Sequence, residues 1–253
     1  MFWQLYDVLL SGVFFGSFAA VAAVLMSPLQ FLKVIKQQTG ESYSKIATDT
    51  FRTEGVAAFF RGALPYAIMN FLSSMSFGIS EVIADNLLKF FVHSTLFAVF
   101  FRSVFGGCCE TLCSLPSEMR EISRNKGSLM ESRATFGSVM LPILFRNMIF
   151  WSASVTSYEI SVAYHFNLLC TTFTGFSFGV LAAFLSIPLD VVATRDCGAL
   201  TNRGIFGHLT AILSGEERIN YLLRGTSIRI VQVAMFTLVT VLTMFLFEAV
   251  FIM

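Results

Sequence analysis

Long apolar stretches alternate with polar segments along the whole chain. A helix that crosses a membrane needs about 20 largely apolar residues, and six stretches of this sequence meet that requirement. They cover approximately residues 5–35, 63–88, 95–119, 139–164, 168–194 and 228–253. The pattern predicts an all-α membrane protein with six transmembrane helices.

Two of the polar segments carry a weaker apolar pattern of their own. Ile46, Phe51 and Phe59 recur among polar residues after the first stretch, and Ile205 and Leu209 do so after the fifth. Apolar positions at mixed helical spacing between charged residues are typical of an amphipathic helix that lies on a membrane surface. We therefore predict a short surface helix in each of these segments.

The odd-numbered apolar stretches share a local motif. Pro28, Pro116 and Pro188 each lie near the end of such a stretch, two residues before a polar or acidic position. Repetition at a long period sets the architecture of a fold, and here it predicts three pseudo-symmetric repeats of two helices. The predicted repeats are residues 1–92, 93–166 and 167–253. We expect the odd helices to bend at these prolines.

Composition agrees with a membrane protein. The chain is 55% hydrophobic and 13% charged, with a mean hydropathy of +0.73, whereas soluble domains carry about 25% charged residues. The net charge of +1 provides no basic surface for nucleic acid. The sequence contains no set of residues that suggests an enzyme nucleophile, a metal site or a phosphate loop.

The basic residues are distributed unevenly between the two sides of the predicted membrane. Most lysines and arginines fall in the three long loops or at the adjoining helix ends, whereas the opposite side has few bases, chiefly Lys89. Basic loops stay on the side from which a membrane protein is inserted. The long loops are thus predicted on that side, with both termini on the other.

The motifs of the three repeats identify a family resemblance that covers essentially the whole chain. The chain resembles the mitochondrial carrier family in its six spans, its three proline motifs, its surface helices and its acidic-glycine and Arg-Gly pairs. The third repeat matches best and the second lacks the loop motifs. The matching residues are Pro188, Asp190 and Arg195 in the third repeat, Glu54-Gly55 and Arg61-Gly62 in the first, and Pro116, Glu118 and Tyr158-Glu159 in the second.

The resemblance implies a location and a chemistry. It implies a multi-pass protein of the mitochondrial inner membrane, with the long loops in the matrix and both termini in the intermembrane space. It implies neither an enzyme nor a cofactor or metal, although lipid such as cardiolipin can bind.

Carriers of this family close on the matrix side through ion pairs between the motif acid of one repeat and the motif base of the next. The corresponding pairs here are Gln30 with Glu121, Glu118 with Ala193 and Asp190 with Lys33. Only the last of these positions joins an acid to a base. The resemblance therefore predicts a degenerate matrix gate with a single ion pair, Lys33–Asp190.

The gate on the intermembrane side departs further from the family pattern. The even helices keep their acids Glu81, Glu159 and Glu248, but each lacks the base that the family has three residues later. Three carboxylates brought together in a low dielectric repel one another or bind a proton. We predict that this gate does not close as in the family, with the alternatives that the acids are solvated or form a cation or proton site.

The family's substrate contacts lie near the middle of the even helices. In the fourth stretch the matching residues are Arg146 and Asn147, and an arginine here resembles carriers of small carboxylates. An arginine in an apolar helix needs an acid or water, and Glu110 in the third stretch is the predicted partner if Arg146 is structural. The other contact positions are uncharged, at Ile68 or Met69 and at Gln232 or Met235.

These observations leave two functional hypotheses. The reduced gates favour a protein that has lost ordinary alternating-access exchange and serves as an accessory or structural subunit of a respiratory-chain or ATP-synthase complex. The retained fold and Arg146 favour an atypical transporter of a small carboxylate or other anionic metabolite. Membrane lipid is an expected partner in both cases.

Overall fold

The computed structural model describes residues 2–88, 95–125, 136–198, 203–216 and 219–237. Within these ranges the chain is helical and contains no strand. The α-helices are α1 Phe2–Thr39, α2 Tyr43–Glu54, α3 Ala63–Leu88, α4 Thr95–Asn125, α5 Phe136–Ala163, α6 Leu168–Gly198 and α7 Gly204–Leu213. An eighth helix, α8, covers 226–237, and short 3₁₀ helices cover Val56–Phe60 and Ile219–Leu223.

Five helical segments of the described chain are long and apolar enough to cross a membrane. They are Leu9–Thr39, Val56–Ser76, Phe97–Asn125, Gly137–Ala163 and Leu168–Cys197. The prediction of an all-α membrane protein is confirmed. The sixth predicted span, 228–253, continues beyond the described residues, which include its first part within α8.

The long helices are arranged side by side around a common centre. Along the chain, α1 packs against α3, α3 against α4, α4 against α5 and α5 against α6. Helix α8 bridges the first and the last of these helices. Its Gln232 Nε2 donates a hydrogen bond to Gln30 Oε1 of α1 at 2.9 Å, and its Val233 lies beside Gly179 of α6.

Each predicted bend position lies inside a helix. Pro28, Pro116 and Pro188 stand within α1, α4 and α6, where a proline removes one backbone hydrogen bond and disfavours a straight helix. The helices continue past the prolines toward one end of the bundle. We call this the loop end, because α2 and α7 follow there, and the opposite end the far end.

The predicted surface segments contain helices at the expected places. In α2, the Ser42 hydroxyl accepts a hydrogen bond from the Lys45 backbone at 3.3 Å, which caps the helix. Gly55 ends α2 with a φ of +76°, a conformation that costs glycine little. The corresponding middle segment, 126–135, lies outside the described residues.

A buried polar cluster fixes α7 against the end of α6. His208 of α7 is buried, with Nε2 at 3.0 Å from Asp196 Oδ1 and Nδ1 at 3.0 Å from the Tyr221 hydroxyl. The guanidinium of Arg195 stacks over the Tyr221 ring at 4.6 Å. The loop of the third predicted repeat is therefore attached to its membrane helix by specific polar contacts.

Small residues allow two pairs of helices to approach closely. A Cβ atom at Gly16 would lie 3.2 Å from the backbone oxygen of Phe71, where α1 meets α3. A side chain at Gly106 would overlap the Trp151 indole, and one at Gly107 would lie 3.0 Å from the Met148 backbone, where α4 meets α5. Gly175 has no such neighbour within 4 Å.

Candidate functional site

The proline motifs bring buried polar residues together at the loop end. Gln30 and Lys33 follow Pro28 on α1, Glu118 and Glu121 follow Pro116 on α4, and Asp190 follows Pro188 on α6; all five residues are buried. Buried charges are stable only when they are paired and hydrogen-bonded. The contacts of these side chains therefore decide what the loop end can do.

Lys33 and Asp190 form the ion pair that the family resemblance predicts. Lys33 Nζ lies 2.8 Å from Asp190 Oδ2. Gln37, one turn further along α1, donates to the same oxygen at 3.0 Å, and its own carbonyl oxygen accepts from Thr194 at 2.9 Å. The pair joins α1 to α6, and its role as a gate stays a prediction.

The degenerate pair Gln30 and Glu121 is joined by a hydrogen bond instead of an ion pair. Gln30 Nε2 donates to Glu121 Oε2 at 3.1 Å, while Gln30 Oε1 accepts from Gln232 of α8. Asn125 supplies a further donor to Glu121. The amide of Gln30 thereby connects α1, α4 and α8 without carrying a charge.

Glu118 obtains its base from an unexpected helix. The motif position opposite Glu118 is Ala193, but Arg146 of α5 forms a two-pronged ion pair with Glu118, with Nη2 at 2.8 Å from Oε2. Arg146 Nη1 also lies 3.2 Å from Asp190 Oδ1. A base from an even helix thus replaces the missing motif base, and it ties together α4, α5 and α6.

Arg146 has no hydrogen-bond donor left over in this arrangement. A guanidinium has five N–H donors. Its Nη groups donate to Glu118 and Asp190, and its Nε and Nη2 donate to Asn147 Oδ1 at 3.2 and 2.9 Å. Asn147 is held in turn by its donation to Thr111 at 3.1 Å. The two residues predicted as substrate contacts are therefore parts of the loop-end network.

The predicted partnership between Arg146 and Glu110 is wrong for the described side chains. Glu110 accepts hydrogen bonds from Ser73 at 2.6 Å and from the Trp151 indole at 2.8 Å. Helical side chains point back toward the N-terminus of their own helix, and the N-terminus of α5 lies at the loop end. Arg146 is consequently directed toward Glu118 and away from Glu110.

At the far end, one predicted acid has a counter-charge. Glu159 Oε1 of α5 lies 2.6 Å from Arg102 Nη1 of α4, so the expectation that this acid stands without a base is wrong. Arg102 lies in an odd helix of the same predicted repeat, outside the motif position that we considered. Glu248 and the side chain of Glu81 lie outside the described part of the structure.

A cavity of about 490 Å³ lies in the centre of the bundle. It extends from Gln30 and Lys33 at the loop end to Thr171 and Leu168, where α6 begins at the far end. Cavities of this size hold small metabolites. The loop-end network forms the floor of the cavity.

Arg229 of α8 is a cavity residue that our sequence reasoning missed. It lines the cavity, and its guanidinium packs against the Phe150 ring at 4.9 Å. Among the described residues its guanidinium has neither an ion pair nor a hydrogen bond, and its buried Nε has no acceptor. The sequence did indicate this role, because Arg229 lies one residue inside the predicted span 228–253. An arginine inside a membrane span marks a functional position.

The comparison with protein families decides the assignment. Residues 6–91, which include most of α1 and all of α2 and α3, match the family model for mitochondrial carrier proteins. This part of the chain is similar to the mitochondrial carrier family. The predicted resemblance is confirmed, and members of this family are membrane transporters and not enzymes. No curated protein matches the chain.

Proposed function

We propose that this protein is a mitochondrial carrier, that it transports a small organic anion across the inner membrane and that it binds the anion in the central cavity at Arg229. The observation that carries the proposal is the state of this guanidinium, which has no acceptor among the described residues. Arginine keeps its charge in any protein environment, and a guanidinium that lacks a hydrogen-bond acceptor in an apolar bundle favours an anionic ligand.

The loop-end network supports a transport cycle. Lys33–Asp190 and Arg146–Glu118 connect α1, α4, α5 and α6 beneath the cavity, so that this end can be closed while the cavity holds a ligand. Alternating access requires two closed states of similar free energy. Arg146 supplies Glu118 with the base that its motif partner position lacks. This ion pair weakens the argument, made from the motif positions alone, that the loop-end gate has been lost.

The basic loops support an orientation for this carrier. By the rule that basic loops stay on the side of insertion, we infer that α2 and α7 lie in the matrix and both termini in the intermembrane space. In this orientation, the cavity extends toward the intermembrane space and the network separates it from the matrix.

The test of transport is uptake by purified protein in liposomes. With a panel of labelled mono- and dicarboxylates, we expect saturable uptake of at least one of them. Arg229→Gln should reduce this uptake by at least about tenfold, because it removes the charge from the binding site. Arg120→Gln removes an exposed arginine and should leave uptake unchanged. Equal uptake by both variants would refute the role of Arg229.

The far end favours a second candidate, an accessory subunit of a respiratory-chain or ATP-synthase complex. Glu159 pairs with Arg102 within one predicted repeat, whereas closure at this end in the family links different repeats. Mild detergent extraction followed by native electrophoresis distinguishes the candidates. Comigration with a large complex, together with no uptake of any anion, would favour the accessory subunit over the transporter.

A further inference from the structure

Glu121 is a fully buried acid at the loop end, and the donors that contact it are neutral. Its exposed fraction is 0%. The Gln30 amide donates to its Oε2 at 3.1 Å, and the Asn125 amide donates to its Oε1. Among the described residues it has no ion pair, although the family resemblance places a base at this position. A buried carboxyl group without a counter-ion is more stable with a proton than as an anion.

The cations near Glu121 already have other partners. Lys33 is bound to Asp190, and Arg146 of α5 is bound to Glu118 and Asp190. Lys33 would attract a negative charge on Glu121, whereas Glu118 and Asp190 would repel one. An ionised Glu121 would therefore compete with Asp190 for Lys33. The titratable groups around Glu121 are, helix by helix, Lys33 of α1, Tyr66 of α3, Glu118 of α4, Asp190 and Cys197 of α6, and Arg229 of α8.

The Asn125 side chain offers an acceptor for a proton on Glu121. Asn125 Oδ1 is buried and has no hydrogen-bond partner among the described residues, and a buried polar atom of this kind requires an explanation. Rotation of the amide by 180° exchanges its oxygen and its nitrogen, which turns Oδ1 toward Glu121 Oε1. Gln30 does not offer such an acceptor, because its Oε1 accepts from Gln232 while its Nε2 donates to Glu121.

We propose that Glu121 and Asn125 form a proton-binding site that holds the loop end closed. The proton lies on Glu121 Oε1 and is donated to Asn125 Oδ1, while Glu121 Oε2 accepts from Gln30. In this state, uncharged hydrogen bonds join α4 to α1 where an ion pair is missing. The site binds a proton whatever the protein transports, so this inference goes beyond the proposed function and does not rest on it.

Loss of the proton should weaken the closure of the loop end. It would leave a third negative charge beside Glu118 and Asp190 in a low dielectric, and hydration of Glu121 would relieve the repulsion. The closed loop end therefore binds one proton more than a form in which Glu121 is hydrated. By linkage, closure weakens as the pH rises above the value at which an exposed glutamate ionises, about 4.3.

The first experiment compares the full-length wild type with Glu121→Gln in detergent. In the variant, the new carbonyl oxygen accepts from Gln30 and the new amide donates to Asn125 Oδ1, so it imitates the protonated acid at every pH. Between about pH 5 and pH 9, the unfolding temperature of the wild type should fall relative to that of Glu121→Gln. The expected fall is roughly 3–5 °C for each pH unit while the proton is being lost. Glu41→Gln, which changes an exposed carboxylate, should follow the wild type.

Infrared spectroscopy of the same proteins detects the proton itself, because a carboxyl group and a carboxylate absorb at different frequencies. The wild type should show a carboxyl band that disappears as the pH rises and that is absent from Glu121→Gln. Asn125→Ala removes the proposed acceptor and should lower the pH at which this band disappears by about one unit. This second variant keeps the test decisive if Glu121→Gln does not fold.

A third readout follows the closure directly. In a protein with its native cysteines replaced by alanine, Ala193→Cys places a thiol at a buried position of the loop end. Its modification from the loop side should become faster with rising pH than that of the same thiol combined with Glu121→Gln, a comparison that cancels the thiol's own pH dependence. Parallel unfolding temperatures of wild type and Glu121→Gln, or a carboxyl band that Asn125→Ala does not shift, would overturn the inference and show Glu121 to be an anion balanced by Lys33.

Discussion

Arg146 illustrates how the direction of a side chain decides its role. From the sequence, its position near the middle of an even helix suggests a substrate contact or a pair with Glu110. In the structure, its five donors are all used by Glu118, Asp190 and Asn147. The sequence shows that Arg146 needs a carboxylate, but three acids lie within reach of α5, and choosing among them requires the helix register and the side-chain direction.

Replacing Arg146 should destabilise the protein strongly. Arg146→Ala leaves the buried Glu118 without its base and removes one of the two cations that contact Asp190, and the loss of one partner of a buried pair costs about 3–5 kcal/mol. Thermal or denaturant unfolding in detergent measures this change. Because Arg146 and Glu118 are in direct contact, the double variant with Glu118→Ala should lose less stability than the sum of the single variants.

Glu110→Ala provides the matching comparison. Since Glu110 is bonded to Ser73 and Trp151 and not to Arg146, its effect should add to that of Arg146→Ala within about 0.5 kcal/mol. Strong coupling between Arg146 and Glu110, with none between Arg146 and Glu118, would contradict the described network.

At the scale of the helices, apolar length and the proline motifs predicted most of what is observed. The boundaries of α3 agree with the predicted stretch, whereas α1, α4 and α6 extend beyond their predicted ends to Thr39, Asn125 and Gly198. These extensions carry polar residues such as Gln37 and Asn125, which are buried by contacts with other helices. Hydropathy along one helix contains no information about such partners.

The spacing of glycines along a helix does not by itself show which face of the helix meets a neighbour. Gly12 and Gly16 follow the small-residue pattern and lie against α3, whereas Gly175 follows the same pattern but has no heavy atom within 4 Å. Gly106 and Gly107, which are adjacent in the sequence, provide the close approach of α4 to α5.

Adding one methyl group at Gly106 should therefore lower the stability of the protein more than so small a change usually does. In Gly106→Ala the new Cβ would overlap the Trp151 indole, and overpacking of this kind costs about 1–3 kcal/mol. Gly175→Ala is the matched control, and it should be neutral or stabilise the helix by about 0.5–1 kcal/mol. Unfolding in detergent compares them, and equal stability of the two variants would show that α4 and α5 can separate at little cost.

For the whole molecule, the sequence predicted the membrane class and the family but not the central cavity. The cavity depends on α1, α3, α4, α5, α6 and α8 together, and Arg229 enters it from the beginning of α8. Charges that meet across helices distant in the sequence follow from the packing of the bundle. The motif comparison correctly identified Lys33 and Asp190 as possible partners because the family pattern already encodes that packing.

The arrangement of cavity and network predicts which end of the molecule admits water. In a protein with its native cysteines replaced by alanine, Ser154→Cys places a thiol at an exposed position in the cavity wall. We expect a membrane-impermeant thiol reagent to modify it from the far end only. Ala193→Cys lies at a buried position of the loop end and should resist the reagent from both sides. Modification of Ser154→Cys from the loop end would show that the network does not separate the two compartments.

Asp190 has a particular place in the network, since among the described residues it is the carboxylate that contacts both Lys33 and Arg146. Any motion that opens the loop end must withdraw two cations from one buried acid before water can replace them. The two contacts should break in a single step and not one after the other. The activation enthalpy of such a step is large, so turnover should be slow at low temperature and increase steeply on warming.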